Sequence, residues 1–250
     1  MNKLSSELLS VKNVLLALSI ATNIVLILAC LIAFQKLKTV YTDYRHFRSL
    51  PVGISSASTS AAADNAVVLF GDSRVEKWTP LPMLAGRKVI NAGVTGETTS
   101  EMRRRFDNDV LRLKPQSVII QAGMKDLTAS ITRDIPTPLK LRERMFENLE
   151  YFVSTLTAAG TQVVITSIIP NKDLNLLRKL FWHPTLQQSV DSANLELQQL
   201  AEKHQAIWLD INNVFVDTNN TVRADLYRDT LHIKSIAYLQ INELLNELLP

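Results

Sequence analysis

The hydrophobic and polar positions of the chain follow two periods. Short apolar runs stand at Ala66-Val67-Val68-Leu69-Phe70, Lys88-Val89-Ile90, Ser117-Val118-Ile119-Ile120-Gln121, Gln162-Val163-Val164-Ile165-Thr166 and Ala206-Ile207-Trp208-Leu209. The first ends at Gly71 and the third follows Lys114-Pro115, the signature of buried strands. Between the runs, apolar residues recur at helical spacing. Met102, Phe106, Val110 and Leu113 share one face; so do Leu141, Met145, Leu149, Phe152 and Leu156. Leu186, Val190, Ala193, Leu197 and Leu200 form another face, and Ala237, Ile241, Leu244 and Leu248 the last. Thr98-x-x-Glu101 has the form of a capping box, and Gly160 stands where the second helix should stop. Five buried strands separated by amphipathic helices predict a parallel sheet covered on both faces. Ligands of such sheets bind beyond the carboxyl ends of the strands, so chemistry is expected in the loops that follow them.

A different pattern fills the N-terminus. Residues 14–34 are uncharged, and as a helix they would span about 31 Å, close to the thickness of a bilayer's hydrocarbon core. A cleaved signal peptide is the alternative, but its apolar region is usually shorter, about 7–15 residues, with a small-residue cleavage site. Here Phe34-Gln35-Lys36-Leu37-Lys38 follows instead. Leu28-Ala29-Cys30 is similar to a lipoprotein site, but the apolar run continues past it. The expected organisation is therefore a short tail at 1–13, a transmembrane signal anchor at 14–34, a juxtamembrane segment with a Ser/Ala-rich linker at 35–65, and a globular domain at 66–250. Lysines and arginines flank both sides of the anchor, and the positive-inside rule taken alone would leave the domain in the cytoplasm. The very short leading tail and the flexible composition of 55–63 favour the extracytoplasmic, periplasmic side. The expected protein is single-pass.

Composition changes the picture in two places. Residues 1–63 carry six Lys/Arg against two acids, so the chain's net charge of +3 belongs to this segment and the remainder is close to neutral. A neutral domain has no excess of positive charge for a polyanion, which argues against a nucleic-acid partner. The single cysteine excludes an intramolecular disulfide framework and any multi-cysteine metal site; no metal or other cofactor is implied.

The loops after the strands carry the candidate chemistry. Gly71-Asp72-Ser73-Arg74 presents a serine hydroxyl at the end of the first strand. Asn91-Ala92-Gly93-Val94-Thr95-Gly96-Glu97-Thr98 follows the second, with glycines that permit close backbone approach and an exposed N–H. Gly123-Met124-Lys125-Asp126 follows the third. Asp229-Thr230-Leu231-His232 precedes the last helix. Together they supply a nucleophile, a backbone donor, a side-chain donor and a base with its orienting acid, the inventory for acyl transfer. Of the four histidines, His46 belongs to the juxtamembrane stretch, His204 to the end of a helix and His183 to a long loop after Phe181-Trp182. Only His232 has an aspartate three residues before it, a spacing at which Asp229 can hold the imidazole tautomer.

The order and wording of these loops resemble the SGNH hydrolases, the GDSL lipase/esterase family, over roughly residues 66–248. The resemblance implies a three-layer α/β/α sandwich with a central five-stranded parallel sheet, a flavodoxin-like arrangement. It implies a Ser-His-Asp triad of Ser73, His232 and Asp229, and an oxyanion hole from the backbone N–H groups of Ser73 and Gly96. One block departs from the family pattern: Gly-x-Asn-Asp has become Gly123-Met124-Lys125-Asp126, so Lys125 stands where the family has its third oxyanion-hole donor. An ammonium can donate, but on a longer and more flexible stem.

The implied function is a membrane-anchored serine esterase or acyl hydrolase acting on an acyl ester, such as an acylated glycan or a lipid. Two alternatives stand beside it. An acyltransferase would use the same serine with a sugar hydroxyl in place of water. A non-catalytic subunit of a membrane complex would keep only the fold, and Lys125 is the feature that favours it. Simpler roles exist for each residue: Ser73 could cap the helix after it, Asp72 serve the turn, Asp126 brace its loop, and Arg103-Arg104-Arg105 form a solvated helix face. Lys172, Arg178 and Lys179 are candidates to meet an anionic substrate, and the polar stretch 169–185 has the length of a lid.

Overall fold

A computed structural model describes residues 3–47, 65–130, 138–172, 186–217, 219 and 221–249. The chain divides into two compact units, Met1–Val52 and Gly53–Pro250. His183, Arg178, Lys179 and most of the stretch 169–185 lie outside the described residues.

The first unit is one helix, α1 (Lys3–Phe47), which continues beyond the uncharged run at both ends. Its segment Val11–Lys36 has a mean hydropathy of 2.7 and is long and apolar enough to cross a membrane. Leu16 and Val25 are more than half exposed. Two polar side chains within it are satisfied locally: Thr22 Oγ1 donates to Leu18 O at 2.9 Å and Asn23 Nδ2 to Ser19 O at 2.8 Å. A helix in hydrocarbon needs such internal partners, because no water is there to replace them.

The second unit is built on five parallel strands in the order β2-β1-β3-β4-β5: β1 (Ala66–Gly71), β2 (Lys88–Gly93), β3 (Ser117–Gln121), β4 (Gln162–Thr166) and β5 (Ile207–Leu209). All five expected strands form, and the expected fold class holds. The period-2 alternation decides the layers. Val68, Phe70, Val118, Ile120, Val163 and Ile165 point to one face; Val67, Leu69, Ile119 and Val164 point to the other. The first face is covered by α3 (Thr99–Asp109), α5 (Pro138–Ala158) and α6 (Leu186–Lys203). Phe70, Phe106 and Phe152 meet there with ring centroids 4.7–5.7 Å apart. The opposite face is covered by α2 (Ser73–Glu76), α7 (Asn212–Phe215) and α8 (Ser235–Leu248). A further helix, α4 (Met124–Ser130), follows β3. Gly160 ends α5 with a φ of 78°, a conformation that glycine adopts without a steric cost.

The strand order places a topological switch between β1 and β3, because the chain leaves β1 toward β2 and returns to β3 on the other side. The carboxyl ends there are held close: Gly71 pairs in register with Gly93 and Gln121. A Cβ on Gly71 would stand 2.1 Å from Gln121 O, and one on Gly93 2.1 Å from Glu76 N. Only glycine permits this approach of strand ends to each other and to α2.

Candidate active site

The head of α2 sits directly after β1. Asp72 is its N-cap: the carboxylate accepts from Arg74 N at 2.9 Å. Burial pushes the Asp72 carboxyl up, opposed by that bond and by the charges of Arg74, Lys125 and His232. Asp72, and not Ser73, therefore satisfies the helix start. Among the described residues the Ser73 hydroxyl makes no hydrogen bond, so no structural role occupies it.

The loop after β2 is pinned to the same helix. Asn91 Nδ2 donates to Val75 O at 2.7 Å, Gly93 N donates to Asn91 Oδ1, and the Thr95 hydroxyl donates to Glu76. Gly96 lies in this loop with a φ of 86°. Arg105 was expected on a solvated face; instead it is mostly buried and braces the loop. Its guanidinium donates to Glu97 at 2.7 Å, to Asp109 at 2.9 Å, to Ala92 O and to Gly71 O. A guanidinium has five donors in a fixed fork, which suits it to join several acceptors at once. Arg103 is drawn onto the Tyr151 ring, 3.9 Å from its centroid, and donates to Asn148. Arg104 is exposed.

Lys125 and Asp126 lie in the first turn of α4. Lys125 is half-buried, and its charge reaches the Asp72 carboxyl. Asp126 turns away to cap α3, accepting from Thr99 Oγ1 at 2.7 Å and from Thr99 N at 3.0 Å. Burial pushes its carboxyl up to about 7 against those two bonds, and the charge of Asp72 adds to the upward push.

Asp229 and His232 come together as their spacing predicts. Asp229 Oδ2 lies 2.7 Å from His232 Nδ1, while Oδ1 accepts from Leu231 N at 2.8 Å and His232 N at 3.0 Å. Partial burial alone would raise the Asp229 carboxyl, but the backbone N–H groups of His232 and Leu231 and the His232 ring together hold it at about 2. An ionised Asp229 accepts from Nδ1–H, which leaves Nε2 as the basic nitrogen of a neutral ring.

Among the described residues no hydrogen bond joins His232 to Ser73. Nε2 instead meets Lys77 Nζ at 3.1 Å. Lys77 closes the turn that begins at Ser73, donating its N–H to Ser73 O at 3.1 Å. On the other side of Ser73's turn, Arg74 is buried and its Nε donates to Leu231 O at 3.0 Å, its Nη1 to Ile169 O at 2.9 Å. Residues one and four positions after Ser73 thus both touch the His232 loop. Neither Arg74 nor Lys77 was singled out as a site residue. Arg74 follows Ser73 directly in the first block, which is the only sequence signal it carried.

With this geometry in place, the chain matches the profile of the GDSL-like lipase/acylhydrolase family over residues 58–238. The chain belongs to that family. Among curated relatives it is similar to the uncharacterized lipoprotein YqeF of Bacillus subtilis, 32% identical over 137 residues that cover 48% of this chain and 55% of that one. It is also similar to an acetylxylan esterase of Geobacillus stearothermophilus, 23% identical over 59% of this chain and 65% of that one. The chain thus spans less than two thirds of the length of either curated relative. Among solved structures, a GDSL-like lipase from Bacteroides thetaiotaomicron superposes with a TM-score of 0.60 at 18% identity, covering 83% of this chain and 96% of that one. The acetylxylan esterase Axe2 of Geobacillus stearothermophilus gives 0.57 at 15% identity, covering 75% of this chain and 94% of that one. At these identities the two structures speak to the fold.

Proposed function

We propose that the protein is a membrane-anchored serine esterase of the GDSL type, with Ser73 as nucleophile, His232 as general base and Asp229 as its orienting acid. The observation that supports this reading is the Asp229–His232 pair at 2.7 Å, in a loop that Arg74 and Lys77, one and four positions after Ser73, both touch, while among the described residues the Ser73 hydroxyl serves no structural bond. In the proposed cycle His232 Nε2 takes the Ser73 proton as Oγ attacks the ester carbonyl. The negative oxygen is met by the backbone N–H groups of Ser73 and Gly96, with Lys125 as third donor. The C–O bond of the ester breaks as Nε2 returns the proton to the leaving alcohol. Water, deprotonated by Nε2, then releases the acid from Ser73. For Nε2 to act, Lys77 must swing aside, and its exposed position allows that.

Acetylated sugars are one substrate class that the acetylxylan esterase relatives support. The domain boundary is read near residue 65, and α1 is read as an uncleaved anchor with the domain on the extracytoplasmic side. The similarity to a lipoprotein agrees with membrane attachment.

The test is labelling and turnover. The full chain in a neutral detergent is expected to react with a fluorophosphonate and to hydrolyse short p-nitrophenyl esters. Ser73→Ala is expected to abolish both while moving stability by less than about 0.5 kcal/mol, since the hydroxyl bonds to nothing in the described structure. Labelling that persists in Ser73→Ala would refute the nucleophile assignment.

A further inference from the structure

Lys77 holds an unusual position for a surface cation. It is exposed, yet its ammonium lies on the one nitrogen that the proposed cycle needs. Among the described residues no carboxylate pairs with it. A lysine that merely solubilised α2 would extend into water, where its charge is best hydrated. Here Nζ donates to Nε2 at 3.1 Å, so the resting histidine has its lone pair occupied. Nε2 is also the atom that protonates the departing alcohol oxygen. The ammonium is therefore on the leaving-group side of the reacting ester, within roughly 6 Å of the oxygen that departs, two hydrogen-bond lengths from it.

We propose that Lys77 is a specificity-determining residue that selects esters whose alcohol portion carries an oxyanion, a carboxylate or a phosphate, close to the ester oxygen. The anion draws Lys77 off Nε2, so binding the right alcohol and freeing the base are one event. A neutral alcohol gives no such exchange, and Lys77 then competes with Ser73 for the histidine. The inference rests on the reading of Ser73 and His232 as catalytic groups.

The experiment compares meta-acetoxybenzoate, meta-acetoxyphenyl phosphate and the methyl ester of the first, each corrected for its hydroxide-catalysed rate. The full chain is used in a neutral detergent at low salt. Lys77→Met is expected to lower kcat/KM for the anionic esters about five-fold, the effect of one exposed ion pair of about 1 kcal/mol. The same variant is expected to raise kcat/KM for the neutral methyl ester, because Nε2 is released. Lys77→Arg is expected to keep the preference for anions, and raising the salt to weaken it. The carboxylate and phosphate arms read which oxyanion is preferred. A Lys77→Met that lowers all three rates alike, or changes none, would overturn the proposal. Absence of turnover for every ester would refute the esterase reading itself. The His232 ring resonances then decide about Lys77 by titration with meta-hydroxybenzoate. A shift lost in Lys77→Met supports the anion site, and an equal shift in both proteins overturns it.

Discussion

At the scale of single residues, Arg74 bears on how the loops are held and Lys125 on the chemistry proposed for them. Arg74 is buried, and it satisfies the carbonyls of Ile169 and Leu231 while Tyr238 Oη donates to its own carbonyl at 2.6 Å. Removing it leaves one buried and one part-buried acceptor without their donor, at a cost of about 1–3 kcal/mol for the buried one and less for the other. Arg74→Met is expected to destabilise the domain by about 2–4 kcal/mol in denaturant unfolding. An effect within measurement error would show that water replaces the guanidinium. Lys125 is the second case. If it donates to the oxyanion, Lys125→Ala should lower kcat about 10²-fold with little change in KM, the usual consequence of losing one such donor. Lys125→Asn supplies a neutral donor on a shorter stem and is expected to raise kcat above that of the natural protein. Steady-state kinetics on one neutral ester compare all three. A loss as deep in the asparagine variant as in the alanine variant would mean that the charge, and not the donor, matters.

At the scale of elements, the loops are held by helix starts. Thr98 N donates to Glu101 Oε2, closing the capping box that the sequence predicts, and Asp126 reaches across from α4 to Thr99. That second contact has a pH signature. Burial raises the Asp126 carboxyl to about 7, above its unfolded value, so the folded chain keeps a proton that the unfolded chain releases. The stability it contributes is complete below about pH 4 and is lost as pH rises through about 7. Asp126→Asn keeps an acceptor for Thr99 and carries no charge, so its Tm is expected to fall less across that window. Thermal unfolding of both proteins from about pH 4 to 8 measures this, and parallel curves would clear Asp126 of the effect. Asp229 has the opposite sign. It is held at about 2, so its contribution is present above about pH 4 and is lost as pH falls further.

At the scale of the molecule, the two units carry different surfaces. The apolar side chains of α1 between residues 11 and 36 are exposed, whereas the second unit encloses most of its apolar residues in two layers around the sheet. A fragment from about residue 64 to the C-terminus is expected to be monodisperse without detergent, and the full chain to require it. Size-exclusion chromatography with light scattering compares the two. A fragment that aggregates until residues 1–63 are restored would refute the division.

The strands and helices were legible because burial repeats with a period. Val67 to Phe70 alternate between the two faces of the sheet, and Met102 and Phe106 recur at helical spacing, so local order alone predicts which side each faces. Asp229 and His232 were legible because both partners sit in one turn, three residues apart. What the tertiary structure decided are the meetings between distant loops. The pairing of Lys77 with His232 spans 155 positions, and that of Arg74 with Leu231 spans 157. Arg105 was misjudged for the same reason: in the sequence it is one of three adjacent arginines, and only the return of β1 and β2 to its side supplies the acceptors that bury it. A polar residue's partners depend on where the chain comes back, and no local period encodes that.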